Sequence, residues 1–310
     1  MTLALGEPPL DRSRSVAPPS LPTTLVVYRF GSNDPTTRLA GSRSTGEFWR
    51  ATHTPYGTAT LHLRWQDGVL AAEAWGDGRE WLLHTVPALS GQLDQPVSFA
   101  TGHPAVLRAQ HNHPGLRLGA SSTLYHELLP VILGQRITAG EAISQWHALV
   151  RRLGVPAPGP NPDLMVQPHP DAVTGHPAWW YHQFGVEAKR AEALRTVAKH
   201  AARLWEWSTI SPADCAAKLA LLPGIGRWTI GSALGPSLGD PDALAIGDFH
   251  LKNAISHALT GRPRGTDEQM VALLEPYAGQ RGRVVRLLLL DGHQAPKFGP
   301  RQRILPMRRW

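Results

Sequence analysis

The chain has 310 residues, 42% of them hydrophobic, which is enough to bury a core and sets an expectation of about two domains. Lys and Arg outnumber Asp and Glu by 31 to 24, and the net charge of +7 favours a polyanionic partner, either nucleic acid or an anionic membrane surface. A single cysteine, Cys215, excludes an internal disulfide framework and any four-cysteine zinc or iron–sulfur site, and no apolar run reaches the ~18 residues of a membrane span.

The N-terminus begins Met-Thr-Leu-Ala-Leu and soon meets Glu7, Pro8 and Pro9, which is not the pattern of a signal peptide, so a cytoplasmic location is expected. Residues 1–22 are rich in Pro, Ser and charge and read as a flexible lead-in. Residues 23–112 read as an antiparallel β-rich subdomain. Leu25–Phe30 and Ala59–Trp65 alternate in part, and Gln66-Asp67-Gly68 has the composition of a hairpin turn into Val69–Trp75. A second turn at Gly76-Asp77-Gly78 leads towards Trp81–His84 as a further part of the sheet.

From residue 113 to the end the texture is helical, so the fold class is α+β. Thr138 and Glu141 have capping-box spacing, with Ile143, Trp146, Val150 and Leu153 on one face and Gly154 at the C-cap. Prolines 156, 158, 160, 162, 168 and 170 mark a stiff connector. Glu187–Trp205 is predicted as one long helix. Ser211 and Pro212 start the next, Asp248–Leu259 forms another, Thr266 caps one more, and Val284–Leu290 is the last.

The connection Leu222-Pro223-Gly224-Ile225-Gly226 is the sharpest local signal. Its two glycines permit positive φ and close approach of a ligand, and they precede a helix whose free amides and dipole attract an anion such as a phosphodiester. An αα-turn with glycine caps has the same shape. The whole string from Leu222 to Thr229, however, resembles the helix-hairpin-helix of the base-excision DNA glycosylase superfamily. That resemblance implies Leu222, Gly224, Ile225, Gly226, Arg227 and Thr229 as DNA-binding residues. It also implies a catalytic aspartate a little over twenty residues on, and Asp248 follows Gly226 by 22. Cleaving an N-glycosidic bond builds positive charge on the sugar, and a carboxylate stabilises it and orients water. Asp248 is also well placed to be a helix N-cap, and the two roles are compatible.

The landmarks over residues 113–290 are most similar to the inducible bacterial 3-methyladenine-DNA glycosylases. Strand-cutting members carry a lysine just after the hairpin; here Trp228 holds that position and no lysine lies between Lys218 and Lys252. The resemblance therefore implies a monofunctional enzyme that excises alkylated bases, leaves an abasic site and needs no cofactor, although hairpin carbonyls can hold a monovalent cation. Trp228, Phe249, Trp179, Trp180 and Tyr181 are the candidate base pocket, since an aromatic face attracts a cationic purine. Gln135, Arg136 and Ile137 form the loop that fills the gap left by base flipping, with Arg136 departing from the apolar wedge common in the family. Pro276–Arg283 replaces a tryptophan-rich segment. From Pro276 to Trp310 eight Lys/Arg face Asp291 alone, which nominates Arg281 and Arg283 for backbone contact. His111-Asn112-His113 is too short to support a nuclease metal motif. The expected partner is damaged double-stranded DNA, bound by a monomer without a membrane. A non-catalytic lesion-binding protein and a glycosylase for another damaged base are the alternatives.

Overall fold

The computed structural model describes residues 2–4 and 19–296. The α+β expectation holds. Five antiparallel strands form one sheet: β1 (Thr2–Ala4), β2 (Thr37–Gly41), β3 (Thr45–Thr54), β4 (Gly57–Gln66) and β5 (Val69–Gly76), in the order β1-β5-β4-β3-β2. The β4–β5 hairpin turns through Asp67 and Gly68, both at positive φ (50° and 83°), the twist a two-residue hairpin needs. One face of the sheet carries Phe48, Leu61, Leu63, Trp65 and Leu70 into a core closed by α1 (Leu21–Leu25) and α2 (Arg79–Leu89).

Three readings change here. Leu25–Phe30 is not a strand: Leu21, Leu25 and Tyr28 are buried at helical spacing, and the chain runs from α1 into a 3-10 turn at Val26–Tyr28. Trp81–His84 belongs to α2, because Leu82, Val86 and Leu89 share one helical face. Leu21, inside the stretch expected as a lead-in, is 1% exposed; residues 1 and 5–18 of that stretch lie outside the described residues.

The helical part begins with α3 (Pro104–Asn112), α4 (Leu124–Leu133) and α5 (Ala139–Leu153). The capping box of α5 forms: Thr138 Oγ1 accepts the Glu141 N–H, and Glu141 Oε2 accepts the Thr138 N–H. The proline-dense connector holds a short antiparallel pair, β6 (Val155–Pro156) and β7 (Met165–Val166), and its Leu164 and Val166 cover Ala51 of the sheet. After α6 (Pro170–Thr174), the long predicted helix is broken at His200 into α7 (Ala188–Lys199) and α8 (Ala201–Trp207). Then follow α9 (Pro212–Leu219), α10 (Arg227–Leu238), α11 (Phe249–Thr260), α12 (Asp267–Leu274) and α13 (Arg281–Leu290).

Two helical cores result. Helices α4, α5 and α7–α10 share one, with Trp146, Leu128 and Leu194 fully buried. Helices α3 and α11–α13 share the other. The junction between α10 and α11 therefore lies between the two cores, and that is where the candidate site is built.

Candidate active site and nucleic-acid interface

The hairpin is fixed from beneath. Leu222 and Ile225 are 6% and 4% exposed in the first helical core, so their side chains are structural and only their backbone is available to a ligand. Gly224 is left-handed at φ +84°, and a Cβ there would sit 2.8 Å from the Cβ of Ala193 on α7. Gly226 is different: its φ is −94°, and nothing lies within 4 Å of where its Cβ would be. Its bareness keeps the start of α10 approachable. The first α10 bond is Ile230 N–H to the Gly226 carbonyl, so the amides just before it are those a helix N-terminus offers an anion. Arg227, exposed at the same end, adds positive charge.

Asp248 caps α11. Its Oδ1 accepts the backbone N–H of His250 and of Leu251, both at 2.8 Å, and its Oδ2 accepts the indole N–H of Trp228 at 3.0 Å. The two amides occupy both lone pairs of Oδ1, while Oδ2 keeps one acceptor position. Gly247, at φ +99°, turns the chain into the cap, and its N–H is held by Asp267 Oδ1 at 3.0 Å. The other oxygen of Asp267 pairs with Lys252 at 3.2 Å. Trp228 thus connects the first turn of α10 to the cap of α11. A Cβ at Gly134 would be 3.4 Å from its Cη2, an ordinary contact distance, so the ring lies along the end of α4.

The loop after α4 is tied to the hairpin. Gln135 Nε2 donates to the Gly224 carbonyl (3.0 Å) and to Thr229 Oγ1 (2.9 Å). Gln135 and Thr229, which is 2% exposed, therefore form a brace. Arg136 is exposed and left-handed at φ +60°, and Ile137 is half-buried. Buried Arg190 supports this loop, donating to the Leu133 carbonyl and to Gln145 Oε1, both at 2.7 Å.

Several candidates lie elsewhere. Tyr181 is fully buried, its hydroxyl donating to the Val173 carbonyl at 2.6 Å and pushed up to about 12 by burial, so it is core and not a base platform. Trp180 stacks on His176 at 3.8 Å and meets Phe184 edge-on; Trp179 beside it is 68% exposed. None of these partners is shared with Asp248 or Trp228. Arg283 is 3% exposed and paired with Asp94 at 2.6 Å, which removes it from any DNA surface. Arg281 forks onto Asp242, which also caps the start of α13 through the Arg281 N–H, so both are committed to the α10–α11 junction. Asp242 is therefore held within the fold. Of the basic C-terminal stretch, residues 297–310 lie outside the described residues. Phe249 is 59% exposed next to Asp248, with the Arg264 guanidinium 5.7 Å from its ring centroid. Sequence reading missed Asp267 and Arg264; an acid in the first turn of α12 was the only visible sign of the former.

No known family profile matches the sequence, and no curated protein matches it. Solved structures do match. A 3-methyladenine DNA-glycosylase from Archaeoglobus fulgidus superposes with a TM-score of 0.69 at 17% identity, over 88% of this chain and 95% of that one. The 8-oxoguanine glycosylase/lyase of Clostridium acetobutylicum, in complex with double-stranded DNA, superposes at 0.58 with 11% identity, over 83% and 98%. The chain has the helix-hairpin-helix DNA glycosylase fold. At these identities the likeness carries the architecture, and the chemistry has to be argued from the side chains.

Among the described residues, no helix is long and apolar enough to cross a membrane, and no three His, Cys, Asp or Glu side chains are grouped to hold a metal.

Proposed function

We propose that the protein is a monofunctional DNA glycosylase for alkylated bases of the 3-methyladenine and 7-methylguanine type. The observation that carries this is the Asp248 carboxylate, braced by three donors, beside an aromatic ring and an open helix N-terminus. Phosphate of the duplex docks on the Gly226–Arg227 amides, and the damaged nucleotide is extruded towards Trp228 and Asp248. The bond from C1′ to the base nitrogen breaks with its electron pair going to the base. A base that was cationic leaves neutral. Asp248 stabilises the positive charge left on the sugar, and a water on the free lone pair of Oδ2 attacks C1′. That water loses one proton to the carboxylate or solvent.

A lyase step is not part of this reading. Such a step needs a free amine, and Trp228 occupies the position after the hairpin. The next lysine along the chain, Lys252, is paired with Asp267. The hairpin backbone suits a monovalent cation: the Leu222 carbonyl accepts one N–H from Ile225 and the Gly224 carbonyl one from Gln135, leaving each a lone pair. The ion would add positive charge facing the phosphate.

The test is release of 3-methyladenine or 7-methylguanine from alkylated duplex, with a borohydride-trapping arm. The expected result is free base, no trapped covalent adduct, and a loss of at least about 100-fold in Asp248→Asn. Release unchanged by that substitution refutes the mechanism. Tight binding without release on alkylated, deaminated or oxidised duplexes would favour a lesion-binding protein that uses Asp248 as a helix cap.

A further inference from the structure

The connection between α11 and α12 takes no part in the reading above, yet it places a cation against the residue next to Asp248. Arg264 is exposed, and its guanidinium lies 5.7 Å from the ring centroid of Phe249, itself an exposed aromatic. Among the described residues Arg264 makes no ion pair; Asp267, three residues on, is taken by Lys252 and the Gly247 amide. Solitary arginines on flexible loops are common and mean little. This one is mounted on a fixed backbone. Its carbonyl accepts Ser256 Oγ at 3.0 Å, and the following Gly265 N–H donates to Asn253 Oδ1 at 3.0 Å. A Cβ at Gly265 would come within 2.7 Å of the Ser256 Cβ, so the loop is packed hard on α11. Thr266 then closes a capping box with Gln269. Two turns of structure thus hold one unpaired guanidinium beside the cap of α11.

The chemistry of that arrangement is specific. The Phe249 ring attracts the guanidinium 5.7 Å away, and among the described residues no acceptor takes its N–H groups. A planar fork with free edges matches two oxygens of a phosphodiester. Arg262, exposed two residues earlier, adds charge of the same sign. The amides at the start of α10 are joined to Asp248 through the Trp228 indole, and Arg264 is joined to it through Phe249. Groups able to attract an anion are therefore attached to both helices that meet at Asp248.

We infer that Arg264, seated on Phe249, is a second phosphate contact, gripping the damaged strand from the α11 side as the hairpin grips it from the α10 side. The inference rests on the proposed DNA-directed function, but its test reads binding instead of base release. The full-length chain and its Arg264→Ala, Arg264→Lys and Arg43→Ala variants are titrated against a duplex carrying a stable abasic-site analogue over a salt series. Arg43 is an exposed arginine in the β2–β3 turn and serves as the control. Losing one phosphate contact is expected to lower the slope of log K against log salt by about 0.9, with roughly ten-fold weaker binding at low salt in Arg264→Ala. Arg264→Lys keeps most of the slope, and Arg43→Ala behaves as the parent. An unchanged slope in Arg264→Ala, or an equal loss in Arg43→Ala, overturns the inference. If base is released while the Arg264 slope is unchanged, the inference fails and the glycosylase reading survives. If no base is released but Arg264→Ala still flattens the slope, the reverse holds.

Discussion

The side chain that ties the site together is Trp228. Its indole N–H is the only side-chain donor on Asp248 among the described residues, and in the proposed reaction its ring also faces the cationic base. These two duties can be separated. Trp228→Phe keeps an aromatic face and removes the donor, so base release is expected to fall about ten-fold in kcat with little change in KM. Trp228→Ala removes both, and KM for alkylated duplex is expected to rise as well. Single-turnover release with each variant measures the split; equal effects in both would mean that the ring has no part in binding. The Asp248 cap of α11 was legible in the sequence, because an Asp just before an apolar run is a local device. The Trp228–Asp248 bond was not, since two side chains 20 positions apart give no local sign of meeting. Tyr181 shows the converse. It lies in an aromatic run that looks like a stacking surface, but its hydroxyl and ring are consumed by α6 and the core.

At the level of elements, the two hairpin glycines are required for different reasons, which makes them separable by mutation. Gly224 carries both positive φ and a collision course with Ala193, so Gly224→Ala is expected to destabilise the fold by about 1–3 kcal/mol. Gly226 carries neither. Gly226→Ala is expected to melt as the parent does, since a Cβ there meets nothing, while binding duplex more weakly if phosphate docks as proposed. Thermal melts beside DNA titrations check both, and a Gly226→Ala chain with normal affinity would mean that phosphate docks elsewhere. A parallel case holds on α11. Asp267→Ala frees the left-handed Gly247 amide and unpairs Lys252, so Asp248 loses its registration. The expected result is a fall of about ten-fold in kcat with unchanged DNA affinity; a variant with parental kcat would make Asp267 merely structural. Helix starts with capping boxes at Thr138 and Thr266 were legible from sequence, since the cap is a local device. The identity of α1 and α2 was not, because packing on the sheet decides it, and no glycine or proline marks the break at His200.

Across the whole molecule, the sheet is joined to the helices by buried polar groups, a feature that hydrophobic patterning cannot reveal. Arg50 of β3 pairs with Glu127 of α4 at 2.5 Å, with side chains 2% and 7% exposed, and Ser121 and Thr123 complete the carboxylate's partners. Burial raises the Glu127 carboxyl and the Arg50 charge opposes that rise. Arg50→Ala, which strands the acid, is expected to cost about 3–5 kcal/mol in a chemical-denaturation curve. Around this pair stand two buried histidines. His53 of β3 bonds the Gln167 carbonyl at 3.0 Å and is lowered to about 4, chiefly by burial and then by His169. His126 of α4, bonded to Thr52 Oγ1 and facing Arg50 and His53, is lowered well below its ordinary value by burial first.

A histidine lowered in the folded state binds its proton more readily once unfolded. Its contribution is therefore complete above the ordinary value of 6.5 and is lost as pH falls from there towards 4. For His53 alone the loss is on the order of 3 kcal/mol. Acidification should loosen the junction between sheet and helices first, since both histidines lie in it. Stability measured from pH 7 to pH 4 is expected to fall steeply in the parent and less steeply in His53→Gln, whose amide does not titrate. Identical pH profiles in the two chains would remove His53 as the cause.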